Sequence, residues 1–311
     1  MKELSYNLSQ TVNDYIKRIE TLRKEILLTP LSPKTELQLR WEANCSRIFF
    51  SLKLAGEELT RDKVQKVLMS YSQKPDAEGK LILKYKKSFD YIQQNWLVNH
   101  RNVTSNDLMT LYHLAHSGKF RVPETEIKRF LEYLQVHPEH PVIQAAVAQA
   151  QIVADSFFVH HNGTTARLFA YLLLYKAGYD FRGLLVLEEV WAKEAEIFHQ
   201  TLKRAIENGN LTLWIEFFSQ SAIASLEKAR IMITADNTTP KLSSNDFWNL
   251  NERQKSILSL LETPGVSLTN KTVQQNFKVS QITASRDLAK LAKLGLIFSH
   301  GKGRSVYYTK V

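Results

Sequence analysis

The sequence predicts an all-α protein whose last fifth adds a small β-hairpin, and three observations carry that expectation. Apolar residues recur at spacings of three and four through most of the 311 residues, while β-branched alternation is scarce. Pro30, Pro33, Gly56 and Gly209 punctuate the helical segments. Near the end, two short strand patterns meet at Gly301-Lys302-Gly303.

Taken in order, residues 1–29 make one amphipathic segment, broken by Pro30 and Pro33, and the helical pattern resumes over 34–55. Thr60 is placed to cap a helix over 61–70, and 74–80 reads as a turn-rich loop. Helices follow at 81–95, 105–117 and 124–136, until His137-Pro138-Glu139-His140-Pro141 interrupts them. Two helices buried in a helical core, 141–155 and 163–176, bracket a short loop, and two more are expected at 184–208, closed by Gly209, and 211–233. The polar, aperiodic stretch 234–246 is the expected linker. It would divide an N-terminal region, 1–80, and a helical core, 81–233, from a terminal domain, 247–311.

In that terminal domain Asn251 is placed to cap a helix holding Ile257, Leu258 and Leu261, which Pro264-Gly265 ends. Thr269 caps a second helix, Lys278-Val279 forms a tight turn, and Ser280 caps a third helix from Gln281 to Leu294, stopped by Gly295. Strands at 296–300 and 305–309 complete a winged helix. At 100° per residue, Ala284, Leu288 and Leu291 fall on one side of the third helix, and Arg286, Lys290 and Lys293 on the other. From Asn251 to Val311 there are ten bases against three acids, so this module carries +7 of the chain's +10. The partner expected from this pattern is duplex DNA. Ser280, Gln281, Ser285 and Arg286 would face base edges, Lys290 and Lys293 would flank them, and Lys302 and Arg304 would serve from the wing. The run Val279 to Leu288 closely resembles the recognition helix of bacterial winged-helix regulators. A winged helix used only for protein contacts is the competing reading. A single module reads few base pairs, so a homodimer is expected.

The central region carries a different pattern. His140-Pro141-Val142-Ile143-Gln144-Ala145-Ala146, Arg167 to Leu174 and Ala177-Gly178-Tyr179 flank a loop that aligns without gaps on HPFx(D/E)GN(G/K)RxxR, through Ser156-Phe157-Phe158-Val159-His160-His161-Asn162-Gly163-Thr164-Thr165-Ala166-Arg167. In these residues the chain resembles the Fic family, whose members transfer AMP or another phosphate-containing group to protein hydroxyls. The resemblance implies a Fic-type helical core. Four motif positions survive: Phe158, Asn162, Gly163 and Arg167.

The departures fall on separate steps of that chemistry. Ser156 stands where the family's histidine deprotonates the attacking hydroxyl, and a serine is no base near neutral pH. His160 replaces the carboxylate that binds magnesium, and imidazole suits so hard a cation poorly. His161 replaces a glycine that lets the backbone approach phosphate, and Thr164 replaces a phosphate-gripping arginine. Ser51-Leu52-Lys53-Leu54-Ala55-Gly56 resembles the family's inhibitory motif (S/T)xxxE(G/N), with Ala55 in place of the glutamate, although Glu57 and Glu58 follow closely. Between Gly118-Lys119-Phe120-Arg121 and Glu124 there is little room for the family's substrate-docking hairpin.

The expectation is therefore a catalytically defective Fic-fold domain acting as a sensor or dimerisation domain beside a DNA-binding module, with no catalytic residue and no cofactor. Asn162 and Gly163 at a helix start, with Arg167 one turn in, remain a candidate anion site for an unidentified ligand. The alternative is a divergent phosphate-group transferase using ATP with Mg, with His160 or His161 as base; an adaptor that binds neither ancestral ligand is a third reading. No metal site is expected, because the adjacent histidines point apart and lack a third ligand. The lone Cys45 excludes an internal disulfide and suits a reducing, cytoplasmic setting. No apolar stretch has the length of a secretory core or a membrane span, so no membrane partner is expected.

Overall fold

The computed structural model describes every residue except 1, 70–74, 137–138, 237–249, 262–265, 295, 302–305 and 311. It divides into two units: residues 1–61 with 77–238, and residues 62–76 with 239–311.

The first unit is helical. Its elements are α1 (Gln10–Leu28), α2 (Pro33–Leu54), α4 (Ala77–Trp96), α5 (Ser105–Ala115), α6 (Glu124–Val136), α7 (Pro141–Asp155), α8 (Asn162–Lys176), a 3-10 turn (Phe181–Gly183), α9 (Leu187–Lys193), α10 (Ala195–Glu207) and α11 (Thr212–Asp236). Every residue of α8 from Thr164 to Tyr175 is buried. A helix covered on all sides belongs at the centre of a bundle. It packs on α7, α4 and α5, while α11 packs on α1 and α7. The Trp214 indole N–H donates to the Ala146 carbonyl at 2.8 Å, joining α11 to α7.

Several boundaries differ from expectation. The first helix begins at Gln10, capped by Ser9, because the residues before it are drawn into tertiary pairing. Ser5 bridges Asn210, and the Lys2 amide donates to Asp155 at 2.7 Å. The expected loop at 74–80 gives way to α4 from Ala77. The expected helix 184–208 breaks at Glu194 (φ −119°, ψ 42°), and the break brings Trp191 of α9 and Phe198 of α10 into stacking at 5.1 Å. Helix α11 runs to Asp236, into the expected linker, whose residues 237–246 lie outside the described ones, as do Lys74, His137, Pro138, Pro264, Gly265 and Gly295.

The second unit contains α3 (Arg61–Met69), from its residue 62 onward, α12 (Glu252–Leu260), β1 (Leu268–Thr269), α13 (Asn270–Phe277), α14 (Gln281–Lys293), β2 (Ile297–His300) and β3 (Tyr307–Lys310). The expected hairpin is present, with Phe298 opposite Thr309 and His300 opposite Tyr307. A third strand joins it: β1 pairs antiparallel with β3, giving the order β1-β3-β2. The caps fall where the sequence places them. Asn251 Oδ1 accepts from the Gln254 amide at 2.9 Å while Gln254 Oε1 accepts from the Asn251 amide at 3.2 Å, a reciprocal box. Thr269 and Ser280 accept from the amides of Thr272 and Thr283 at 3.1 and 3.2 Å.

Candidate functional site

The signature loop joins α7 to α8. Ser156 ends α7 in the left-handed conformation (φ 48°), and its hydroxyl reaches the Val153 carbonyl at 3.4 Å. Arg121 closes this helix end from outside. Its Nε and Nη2 donate to the carbonyls of Ser156 and Asp155 at 3.0 and 2.9 Å, and its amide donates to Phe157 O at 2.8 Å. A guanidinium on the last carbonyls of a helix satisfies orphan acceptors and complements the dipole. Around it, the segment in the place of the docking hairpin forms a single bridge, Phe120 to Phe158.

Phe158 is buried and stacks on Tyr112 at 4.1 Å. Val159 and His160 are exposed at the loop tip. His161 adopts φ 60°, and its ring stacks on that of His116 at 4.0 Å and 3°. Burial above all, with His161 beside it, pushes the His116 imidazole down to about 4. His116 Nε2 has no hydrogen-bond partner among the described residues.

Asn162 does not cap α8. Its carboxamide accepts from the Phe158 amide and donates to the Phe158 carbonyl, both at 2.8 Å, closing the loop on itself. The cap position is His161, which makes no side-chain capping bond. Gly163 lies in the first turn of the helix with no positive φ to demand glycine.

Arg167 is 3% exposed. Its Nη2 donates to the Ser51 carbonyl at 3.0 Å and to the hydroxyls of Ser51 and Thr164 at 3.4 Å. The structure thus brings the inhibitory-motif stretch and the second signature arginine together, through Ser51. Ala55 and Gly56 lie exposed past the end of α2, and Glu57 and Glu58 are exposed as well. Burial lowers the Arg167 guanidinium pKa against the attraction of Tyr85 and Glu188. Among the described residues no group of three or more His, Cys, Asp or Glu could hold a metal ion.

Sequence reasoning missed the polar group beneath this arginine. Glu188 is fully buried, accepting from the hydroxyls of Tyr171 and Tyr85 at 2.7 and 3.2 Å. Burial raises its carboxyl pKa, with Arg47 opposing. Arg47, 1% exposed, donates to the carbonyls of Gly183 and Leu185 and lies over the Phe89 ring at 4.1 Å. The available signal was Glu188, the first of two glutamates in the opening turn of α9, set directly after the apolar run from Leu184 to Leu187.

On α14 the expected faces separate. Ala284, Leu288 and Leu291 are buried; Gln281, Ser285 and Arg286 are exposed; Lys290 and Lys293 are half-buried. Ser280 is exposed at the cap, and Lys302 and Arg304 lie outside the described residues. Two polar clamps fix the helix, neither of them expected. Asp287, 4% exposed, accepts from Arg253 Nε and from Gln254 Nε2 at 2.7 Å, tying α14 to α12. Asn270 at the start of α13 donates to Ser285 Oγ at 2.9 Å and to the Gln281 carbonyl at 3.2 Å. Arg253 is thereby paired with an acid, and the exposed charge of the module sits elsewhere.

Residues 253–309 match the DeoR-like helix-turn-helix domain family. Three solved structures share the fold. A Fic family protein from Desulfovibrio desulfuricans G20 is similar over 98% of this chain and 97% of its own, at 15% identity and a TM-score of 0.65. A Fic domain containing signaling protein from Bacteroides thetaiotaomicron VPI-5482 covers 73% of this chain and 98% of its own, at 15% identity and 0.58. Fic-1 from C. elegans covers 74% of each, at 17% identity and 0.59. No curated protein matches the sequence. The chain therefore combines a Fic-type helical fold with a DeoR-like helix-turn-helix module. No helix among the described residues is long and apolar enough to cross a membrane.

Proposed function

We propose that this chain is a DNA-binding regulator in which the winged helix holds duplex DNA and the Fic-fold unit, silent in group transfer, senses a signal or pairs two copies. The observation that carries the reading is the match of residues 253–309 to a DeoR-like helix-turn-helix, with Gln281, Ser285 and Arg286 exposed in the N-terminal half of α14. Anisotropy titration of the whole chain with duplex DNA tests it. Binding should weaken with salt, since each phosphate contact releases counterions with a slope of roughly 0.9 per contact. A chain without salt-dependent DNA affinity in dilute buffer is not this regulator. Pairing of copies would place two modules on two half-sites, and light scattering at micromolar concentration should give twice the 35.8 kDa chain mass.

The Mg-nucleotide implied by the fold does not fit the loop in this reading. The His161 ring occupies the place where the motif has glycine, and Arg167 is engaged by Ser51 away from the loop surface. Ser156 offers a hydroxyl where a base is needed. A ligand at one hundred times its dissociation constant would stabilise the fold by about 2.7 kcal/mol, a melting shift of roughly 5–10 °C. Millimolar Mg-ATP should leave the melting curve unmoved; a clear shift, or radiolabel passed from ATP to protein, favours a divergent transferase instead.

A further inference from the structure

The strongest unassigned feature of the DNA-facing helix is an apolar side chain. Ile282 is 64% exposed in the first turn of α14, among polar neighbours. The inner face of the helix is already filled by Ala284, Leu288 and Leu291, each 0% exposed, so the module's core makes no use of it. At 100° per residue Ile282, Arg286, Ala289 and Lys293 form one stripe, at steps of four, three and four, opposite that inner face. Ala289, exposed and small, lets the middle of the stripe approach a surface closely.

Resting on the DNA-binding reading above, we infer that Ile282 reads the methyl group of a thymine and Arg286 reads a nearby guanine. In the major groove the thymine C5-methyl is the apolar group that base edges present, and guanine offers the O6 and N7 pair that a guanidinium bonds bidentately. Both residues lie in the N-terminal half of the helix, the part that enters the groove in helix-turn-helix docking. A β-branched residue in a helix holds essentially one χ1 rotamer, so the isoleucine methyl groups arrive ordered. The helix itself is held by Asp287 on Arg253 and Gln254, and by Asn270 on Gln281 and Ser285. Four residues rise about 6 Å, close to two base-pair steps of 3.4 Å. The thymine and guanine should therefore lie one or two steps apart.

The test begins with selection of a preferred site by the whole chain from a randomised duplex library. Thymines of that site are then replaced singly by uracil, which lacks only the methyl, and guanines by 7-deazaguanine, which lacks N7. One uracil should weaken wild-type binding about fourfold, the worth of one buried methyl-sized group, and should cost Ile282→Ala nothing. One 7-deazaguanine within two steps of it should weaken the wild type at least fivefold and leave Arg286→Ala indifferent. Since the bases change and not the protein, folding defects do not imitate this pattern. A selected site with no methyl-sensitive thymine, or a uracil penalty that persists in Ile282→Ala, overturns the inference and leaves DNA binding intact. Failure to enrich any sequence in a salt-dependent manner instead removes the underlying reading.

Discussion

Arg167 and Arg286 each stand at a position where a sequence motif promises a ligand, and the fold treats them in opposite ways. Arg167 is 3% exposed and donates to the backbone and hydroxyl of Ser51, above a buried group of Tyr85, Tyr171 and Glu188. Arg286 is exposed on a helix whose other face is packed. The same guanidinium is an internal strut in one unit and an outward donor in the other. What separates them is the neighbour: α8 is buried on every side, α14 on one. A motif residue acts on a ligand only if its helix leaves that face uncovered.

The comparison is sharpened most by Glu188. Replacing it with Ala leaves the hydroxyls of Tyr171 and Tyr85 without their carboxylate acceptor and Arg47 without the opposing charge of Glu188, a change expected to cost about 3–5 kcal/mol. Denaturant unfolding of the first unit should report the loss, with DNA affinity of the still-folded chain unchanged. Loss below about 1 kcal/mol would mean that the buried group is no strut.

A smaller effect is expected at His116, whose ring is neutral in the fold. Its pKa falls from 6.5 to about 4 on folding, so between those values the unfolded chain binds more protons. Stability from this site is complete above pH 6.5 and is lost as pH falls toward 4. Allowing for partial solvent access, the loss is about 1–2 kcal/mol. His116→Gln should flatten that acid limb of the stability profile; an identical limb in the variant places the titration elsewhere.

The smallest effect on stability is the reciprocal control. Arg286→Ala should change unfolding by no more than about 0.5 kcal/mol, as exposed substitutions do, while lowering affinity for the selected DNA. A large stability loss there would dissolve the contrast between the two arginines.

How much of this was legible depended on the reach of each interaction. Asn251, Thr269 and Ser280 were readable as caps because a cap bonds amides two or three residues onward. Asn162 also stands at a helix start, but its side chain bonds Phe158, four residues back, and helix-start patterns carry no trace of it. Strand β1 is two residues long, too short for any periodicity, and exists because β3 offers an edge. The break at Glu194 goes with a contact between two rings seven residues apart, Trp191 on Phe198, which helical periodicity does not register. Glu188, Arg47 and Asp287 were passed over because charged residues are ordinarily exposed. Their burial depends on partners far away in the chain, and spacing carries no record of those.

The left-handed backbone at His161 has a practical consequence. The main chain holds φ 60° there, a conformation glycine adopts freely and histidine only at a penalty of roughly 1–2 kcal/mol. The loop therefore preserves the course of a glycine-bearing chain while carrying a different side chain. For anyone wishing to install new chemistry in this scaffold, the difficult part, a tight bend already closed by Asn162 and gripped by Arg121, is in place. Exchanging His161 for glycine would relax the bend and uncover the face of His116, so redesign could proceed by replacing side chains along an unaltered path.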